Sequence, residues 1–191
     1  MDWFGERPAD WFTFLDRGEC SFFPLIRTRT GEIVPHPLDL AVSVTCAAVG
    51  RRQLGHIVDL VTIVERVLPL GAIIWAGAGS MRGFTPEGMV SWIRRNSIYP
   101  RIDWNEFVRT PPIEPLAFYP KLRAALDEAE AFVLKMPTDK VGLLFLKDGK
   151  VVQPDPDKLD EYQTHAGQRR GHWPSNSEIE SAMLAQYNLK P

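Results

Sequence analysis

No apolar run in the sequence is long enough to cross a bilayer. The most apolar window, Val67 to Gly79, falls short of the roughly 20 residues a membrane helix needs, and Glu65 and Arg66 precede it. A buried helix is expected there. Cysteine is scarce, with Cys20 and Cys46 the only two. The opening MDWFGERPADWFTF lacks a basic start followed by an apolar stretch, so no secretory leader is read in it. A cytoplasmic chain with free thiols is expected, not a disulfide framework. Charge of one sign is lacking too. Lys and Arg total 22 against 24 Asp and Glu, a net charge of −2, which argues against a large nucleic-acid surface and gives no strong nucleic-acid signal. Absent as well are a Gly-x-Ser-x-Gly elbow, an HExxH helix and a complete Walker sequence.

What remains is ordinary globular material. At 45% apolar and 24% charged residues over a length of 191, the chain has enough for one packed core and too much for general disorder. The expected fold class is α+β, predominantly helical, with an N-terminal β-hairpin, a helical body, a second β-hairpin and a C-terminal helix. SFFPLI and GEIVPHP flank the turn-forming RTRTG, so short strands are expected over 20–35. Pro24 makes the first an edge or bulged strand, and two strands need a helical layer or a missing sheet to cover them.

From Pro37 the spacing turns helical. Leu38, Ala41, Val42, Thr45, Cys46 and Val49 recur at three- and four-residue steps up to Gly50. A second helix is expected over Gln53 to Leu68, on a stripe of Leu54, Ile57, Val58, Val61, Val64 and Leu68 that Leu60, Ile63 and Val67 broaden. LGAIIWAGAG reads as a third. FTPEGMVSWIRRNS carries Thr85 as N-cap and Pro86 at the first helical position, and IDWNEFVRT is shorter. A long amphipathic helix from Leu116 to Lys135 completes a bundle over 37–136. VGLLFLKDGKVVQP is a hairpin over 141–153 turning at Asp148-Gly149. These pieces make a body of residues 1–153. Residues 154–191 read as a polar, Pro- and Gly-rich linker and a last helix, capped by Ser175 and Glu178.

The stretch that raises a chemical question is HPLDLAVSVTCAAVGRRQLGHIVDLVTIV, in which Asp59 stands alone among apolar neighbours. Helical spacing places Arg52, His56, Asp59 and Arg66 near one another. A carboxylate beside an imidazole and guanidinium groups can orient a phosphate or a metal, or serve as a general base. It can equally be a structural group paired with Arg52, Arg66 or His56. GAGSMRG at Gly77 to Gly83 lacks the Lys-Ser/Thr ending of a phosphate loop and reads as a helix C-terminus packed through small residues. His36, His56, His165 and His172 are scattered, and no metal-ligand spacing joins them to a cysteine. HAGQRRGHWP reads as a solvated linker, or else as a contact for RNA or a partner protein.

The segments SFFPLI, EIVPHPLDLAVSVTCAAVGRRQLGHIVDLVTI and LPLGAIIWAGAGSMRGFTPEGMVSWIRRNS together resemble the C-terminal part of bacterial nucleotidyltransferase-like proteins related to the AbiEii-type toxins of type IV toxin–antitoxin systems. The resemblance covers roughly residues 20 to 135. In that family a strand leads into an hP-x-DLA-x-x-K helix, and an R-x-x-x-x-D-x-x-D segment opens the next. His36 to Ala41 fits the first pattern, Gly50 to Arg52 fits the approach to the second, and Asp59 falls on its second acidic position. Val44 stands where the lysine is expected, and His56 where the first acid is expected. The Gly-Ser turn and the two strand carboxylates that hold Mg²⁺ in such enzymes are missing upstream of His36. The Asp155-Pro156-Asp157 run lies in the proline-rich segment, after the helices.

The resemblance thus implies the helical wing of such an enzyme without its catalytic strand: a truncated or degenerate nucleotidyltransferase-like protein, inactive alone. Its nucleotide-facing residues would be Asp39, Arg51, Arg52, His56 and Asp59, with Asp59 the weak catalytic candidate and no metal ligand assigned. Mg²⁺ and an NTP are the implied ligands if that wall is retained. The alternative is a non-enzymatic interaction module or partner subunit that completes its sheet with another chain, or with a second copy, through the N-terminal edge strand.

Overall fold

His36-Pro37 starts the helical body. Proline at the first helical position loses no hydrogen bond, because its missing N–H would have been an orphan there. His36 acts as N-cap, its Nδ1 accepting the Leu38 N–H at 3.2 Å. In this computed structural model, which describes residues 21–27, 31–109 and 112–167, the first helix α1 spans Pro37–Gly50 and is buried on nearly every side. It is followed by α2 (Leu54–Arg66), α3 (Leu70–Ala78), α4 (Pro86–Asn96), the short α5 (Arg101–Glu106) and the long α6 (Pro115–Val133). α1 packs against α2, α3 and α4, while α6 closes over α2, α3 and α4 from the other side. No described helix is long and apolar enough to cross a membrane.

All nine residues of α3 are buried, from Leu70 to Ala78. Its small residues explain how a helix can sit so deep. A Cβ on Gly71 would lie 2.8 Å from the Phe132 ring, and one on Gly77 would lie 3.3 Å from Cys46 Sγ. At the end of α3, Gly79 meets Gly142 so closely that a Cβ would sit 2.5 Å from the Gly142 Cα. Gly142, at φ +87°, donates its N–H to Trp75 O at 3.0 Å, and Trp75 Nε1 donates to Lys140 O at 2.7 Å. GAGSMRG is therefore a helix end packed through small residues, and it seats the C-terminal sheet on the bundle.

That sheet has three antiparallel strands in the order β4-β3-β5, with β3 at Leu143–Lys147, β4 at Lys150–Val152 and β5 at Gln163–Ala166. The β3–β4 hairpin turns at Asp148-Gly149 as expected, with both residues at positive φ. β5 corrects the reading of the segment after Pro154 as a linker. A 3₁₀ turn at Pro156–Glu161 returns the chain, and Tyr162 OH accepts the Asp155 N–H at 3.2 Å. β5 then pairs with β3 through Leu144↔His165 and Phe145↔Thr164. Its side chains are mostly exposed, so it contributes backbone pairing with little apolar burial, and composition gives no sign of it. The last helix, with Ser175 and Glu178, lies outside the described residues.

The N-terminal hairpin is smaller than expected. Among the described residues its ladder joins Ile26–Arg27 (β1) to Ile33–Val34 (β2). Phe22 and Phe23 form a bend buried against α1, since their amides find a side-chain acceptor there instead of a neighbouring strand.

Candidate functional site

Asp39, Arg52 and Asp59, three of the five residues of the inferred nucleotide-facing wall, are each engaged with a different part of the fold. Asp39, in the first turn of α1 and 5% exposed, turns its carboxylate toward the preceding chain. Oδ1 accepts the Phe22 N–H, and Oδ2 accepts the Phe23 N–H at 3.0 Å. A carboxylate is favoured at a helix N-terminus, where the orphan N–H groups carry partial positive charge. Asp39 thereby pins the N-terminal segment to the bundle.

Asp59 lies in the second turn of α2 and is 6% exposed. Its partner is none of the residues that helical spacing nominates. Arg109, in the extended stretch after α5, donates from Nη1 to Asp59 Oδ1 at 2.6 Å. Burial pushes the Asp59 carboxyl above its ordinary value, and the Arg109 hydrogen bond and charge pull back against that shift. Such a pair is held by geometry more than by net energy, because desolvation of the two charges offsets much of their attraction.

Arg52 stands at the elbow between α1 and α2 and reaches the α4–α5 connection. Its Nη2 donates to Ile98 O at 2.7 Å, and its guanidinium lies 5.7 Å from the centre of the Tyr99 ring. Asn96, which helical spacing does not single out, donates from Nδ2 to Ala48 O and Val49 O at 3.0 and 2.9 Å. It thus satisfies two of the carbonyls that the end of α1 leaves without helical partners. Arg51 is the C-cap of α1, with its N–H donated to Ala47 O, and His56 is half-buried on α2. The Gly-Arg-Arg elbow is accordingly a clamped structural joint.

Among the described residues, no three His, Cys, Asp or Glu side chains gather as a metal site would require. An open cleft of about 230 Å³ lies between α2 and the start of α6, lined by Val58, Val61, Ile113 and Phe118, with Glu65 and Lys121 also on its wall and paired at 2.6 Å. It is smaller than the ~300–1,000 Å³ usual for small-molecule sites, and neither Asp39 nor Arg52 lines it. The sequence held no local signal for Arg109, because the ion pair joins positions 50 apart through tertiary packing.

Comparison of the chain with protein-family models, curated proteins and solved structures gives no match to any of them. The likeness to AbiEii-type nucleotidyltransferases therefore rests on the residue pattern alone.

Proposed function

We propose that this chain is a non-catalytic interaction module, a partner subunit that presents an apolar surface to another protein chain. The observation that carries the reading is a succession of exposed apolar side chains between the end of α4 and the start of α6. Ile98, Ile102, Val108 and Leu116 are 68%, 57%, 91% and 84% exposed. Single exposed apolar residues are ordinary; here four of them fall in the sequence between Ile98 and Leu116, each an apolar surface that a partner would cover. Leu25 and Ile33, exposed at the N-terminal hairpin, supply a second and smaller contact. The hairpin edge there is short, because Phe22 and Phe23 are already engaged by Asp39.

The alternative is a degenerate nucleotidyltransferase wing that still holds Mg²⁺ and an NTP. It would require Asp59 to exchange Arg109 for a metal ion where the described residues gather no group of three ligands. The two readings separate in one comparison. Sedimentation of the purified chain, and capture of partners from its source cells, are to be run for the native protein and for Val108→Glu and Leu116→Glu. The module reading expects one defined association, with itself or with a single partner, that both variants abolish while melting temperature stays unchanged. Association that survives both substitutions, or a monomer that is stabilised only by Mg²⁺ and a nucleotide, overturns it.

A further inference from the structure

The Ser21–Pro24 segment is fastened to α1 and β5 by a latch of hydrogen bonds and ring contacts at Phe22 and Phe23. Phe23 lies between two imidazoles, its ring centre 4.5 Å from that of His36 and 4.8 Å from that of His165, the latter stacked at 14°. Phe22 O accepts from His165 Nε2 at 2.7 Å, and both Phe amides donate to Asp39. The latch thus ties three distant parts of the chain together: the segment itself, the start of α1, and the edge strand β5.

The two histidines respond differently to a proton. A carbonyl only accepts, so His165 Nε2 already carries its hydrogen, and a second proton on Nδ1 leaves that bond intact. In His36 the Nδ1 lone pair receives the Leu38 N–H. The neutral ring therefore carries its hydrogen on Nε2, and an incoming proton has only Nδ1 to occupy. Protonation then destroys the N-cap acceptor and sets N–H against N–H, at a helix end that already repels positive charge. We propose that protonation of His36 opens this latch, so that the Ser21–Pro24 segment leaves α1 as pH falls while the helical body stays folded.

Among the described residues, the titratable groups seen on Phe22 and Phe23 beside His36 are His165 from β5 and Asp39 from its own helix. Burial, with a smaller contribution from the His165 charge, holds His36 down at about 3 from its ordinary 6.5. A histidine depressed in the closed state keeps the latch shut above pH 6.5. One proton taken up on opening favours the open state about tenfold for each pH unit between 6.5 and about 3.

The test is amide hydrogen exchange of the full chain between pH 7.5 and pH 5, expressed as protection factors so that the intrinsic pH dependence of exchange is removed. Protection at Phe22, Phe23 and Leu38 is expected to fall about tenfold per pH unit below 6.5, while Ile73 and Ile74 in α3 stay protected. In His36→Asn, whose side chain caps a helix without titrating, the same amides should hold constant protection. An unchanged latch in the native protein, an equal fall in His36→Asn, or simultaneous loss at Ile73 and Ile74 would each overturn the proposal. Should the variant fail to fold, the ring protons of His36 in the native chain decide: titration near 6.5 with the latch amides still protected contradicts it.

Discussion

Asp39 and Asp59 are both buried carboxylates on neighbouring helices, yet the protein satisfies them by opposite means. Asp39 accepts two backbone N–H groups at a helix N-terminus, and its donors cannot be mutated away. Asp59 depends on the guanidinium of one distant side chain. The first arrangement fixes where a segment of chain runs. The second joins α2 to the stretch between α5 and α6, and it can be broken from either side. Each acid is engaged by a partner within the fold, and the difference shows that a lone acid in an apolar helix says little about its task until its partner is located.

The largest effect is expected from removing the backbone acceptor. Asp39→Ala strands two buried N–H groups and a favourable helix-end charge, and should lower unfolding free energy by about 3–5 kcal/mol in urea titrations. Asp39→Asn keeps one acceptor oxygen and should lose about half as much.

Breaking the ion pair comes next. Arg109→Ala leaves Asp59 buried without its partner and should cost about 2–4 kcal/mol, while Asp59→Leu combined with Arg109→Met should recover most of the loss. A double variant as unstable as the sum of the two singles would show that the pair is not coupled.

The pH profiles sharpen the contrast. Asp59 is raised in the folded state, so its contribution is fully present below the ordinary carboxylate value of 3.8 and is lost as pH rises through the folded value. Taking Arg109 away raises Asp59 further. Arg109→Ala should therefore be less destabilising at pH 4 than at pH 7.5, as urea unfolding of both proteins at both pH values will show. The smallest effect is expected at the elbow, where Arg52→Ala removes an exposed guanidinium's hydrogen bond to Ile98 O and should cost about 1 kcal/mol.

Much of this architecture is legible in the sequence. The apolar stripe of α2, the Pro37 start and Gly50 end of α1, Thr85 and Pro86 at the head of α4, and the Asp148-Gly149 turn all stand where local rules put them. These features depend on neighbours within a few residues. β5 escapes notice because an exposed edge strand needs no apolar alternation, only a partner such as β3. The bend at Phe22-Phe23 resembles a strand by composition, but its amides are taken by Asp39. Asp59 was visible as an anomaly and Arg109 was not. Helical spacing ranks near neighbours such as Arg66, which in the fold is exposed, while the actual partner arrives from beyond α5.

Asp39 and Asp59 hold parts of the fold together, the first through the Phe22 and Phe23 amides and the second through Arg109. Thermal unfolding of the native chain and of Asp59→Asn, with and without Mg²⁺ and each of the four NTPs, tests this most directly. A lower melting temperature for Asp59→Asn and no response to any nucleotide in either protein are expected. A nucleotide bound at a hundred times its dissociation constant would add about 2.7 kcal/mol, roughly 5–10 °C for a chain of this size. An upward shift of that order that needs Mg²⁺ and disappears in Asp59→Asn would overturn a purely structural role and return Asp59 to a nucleotide site.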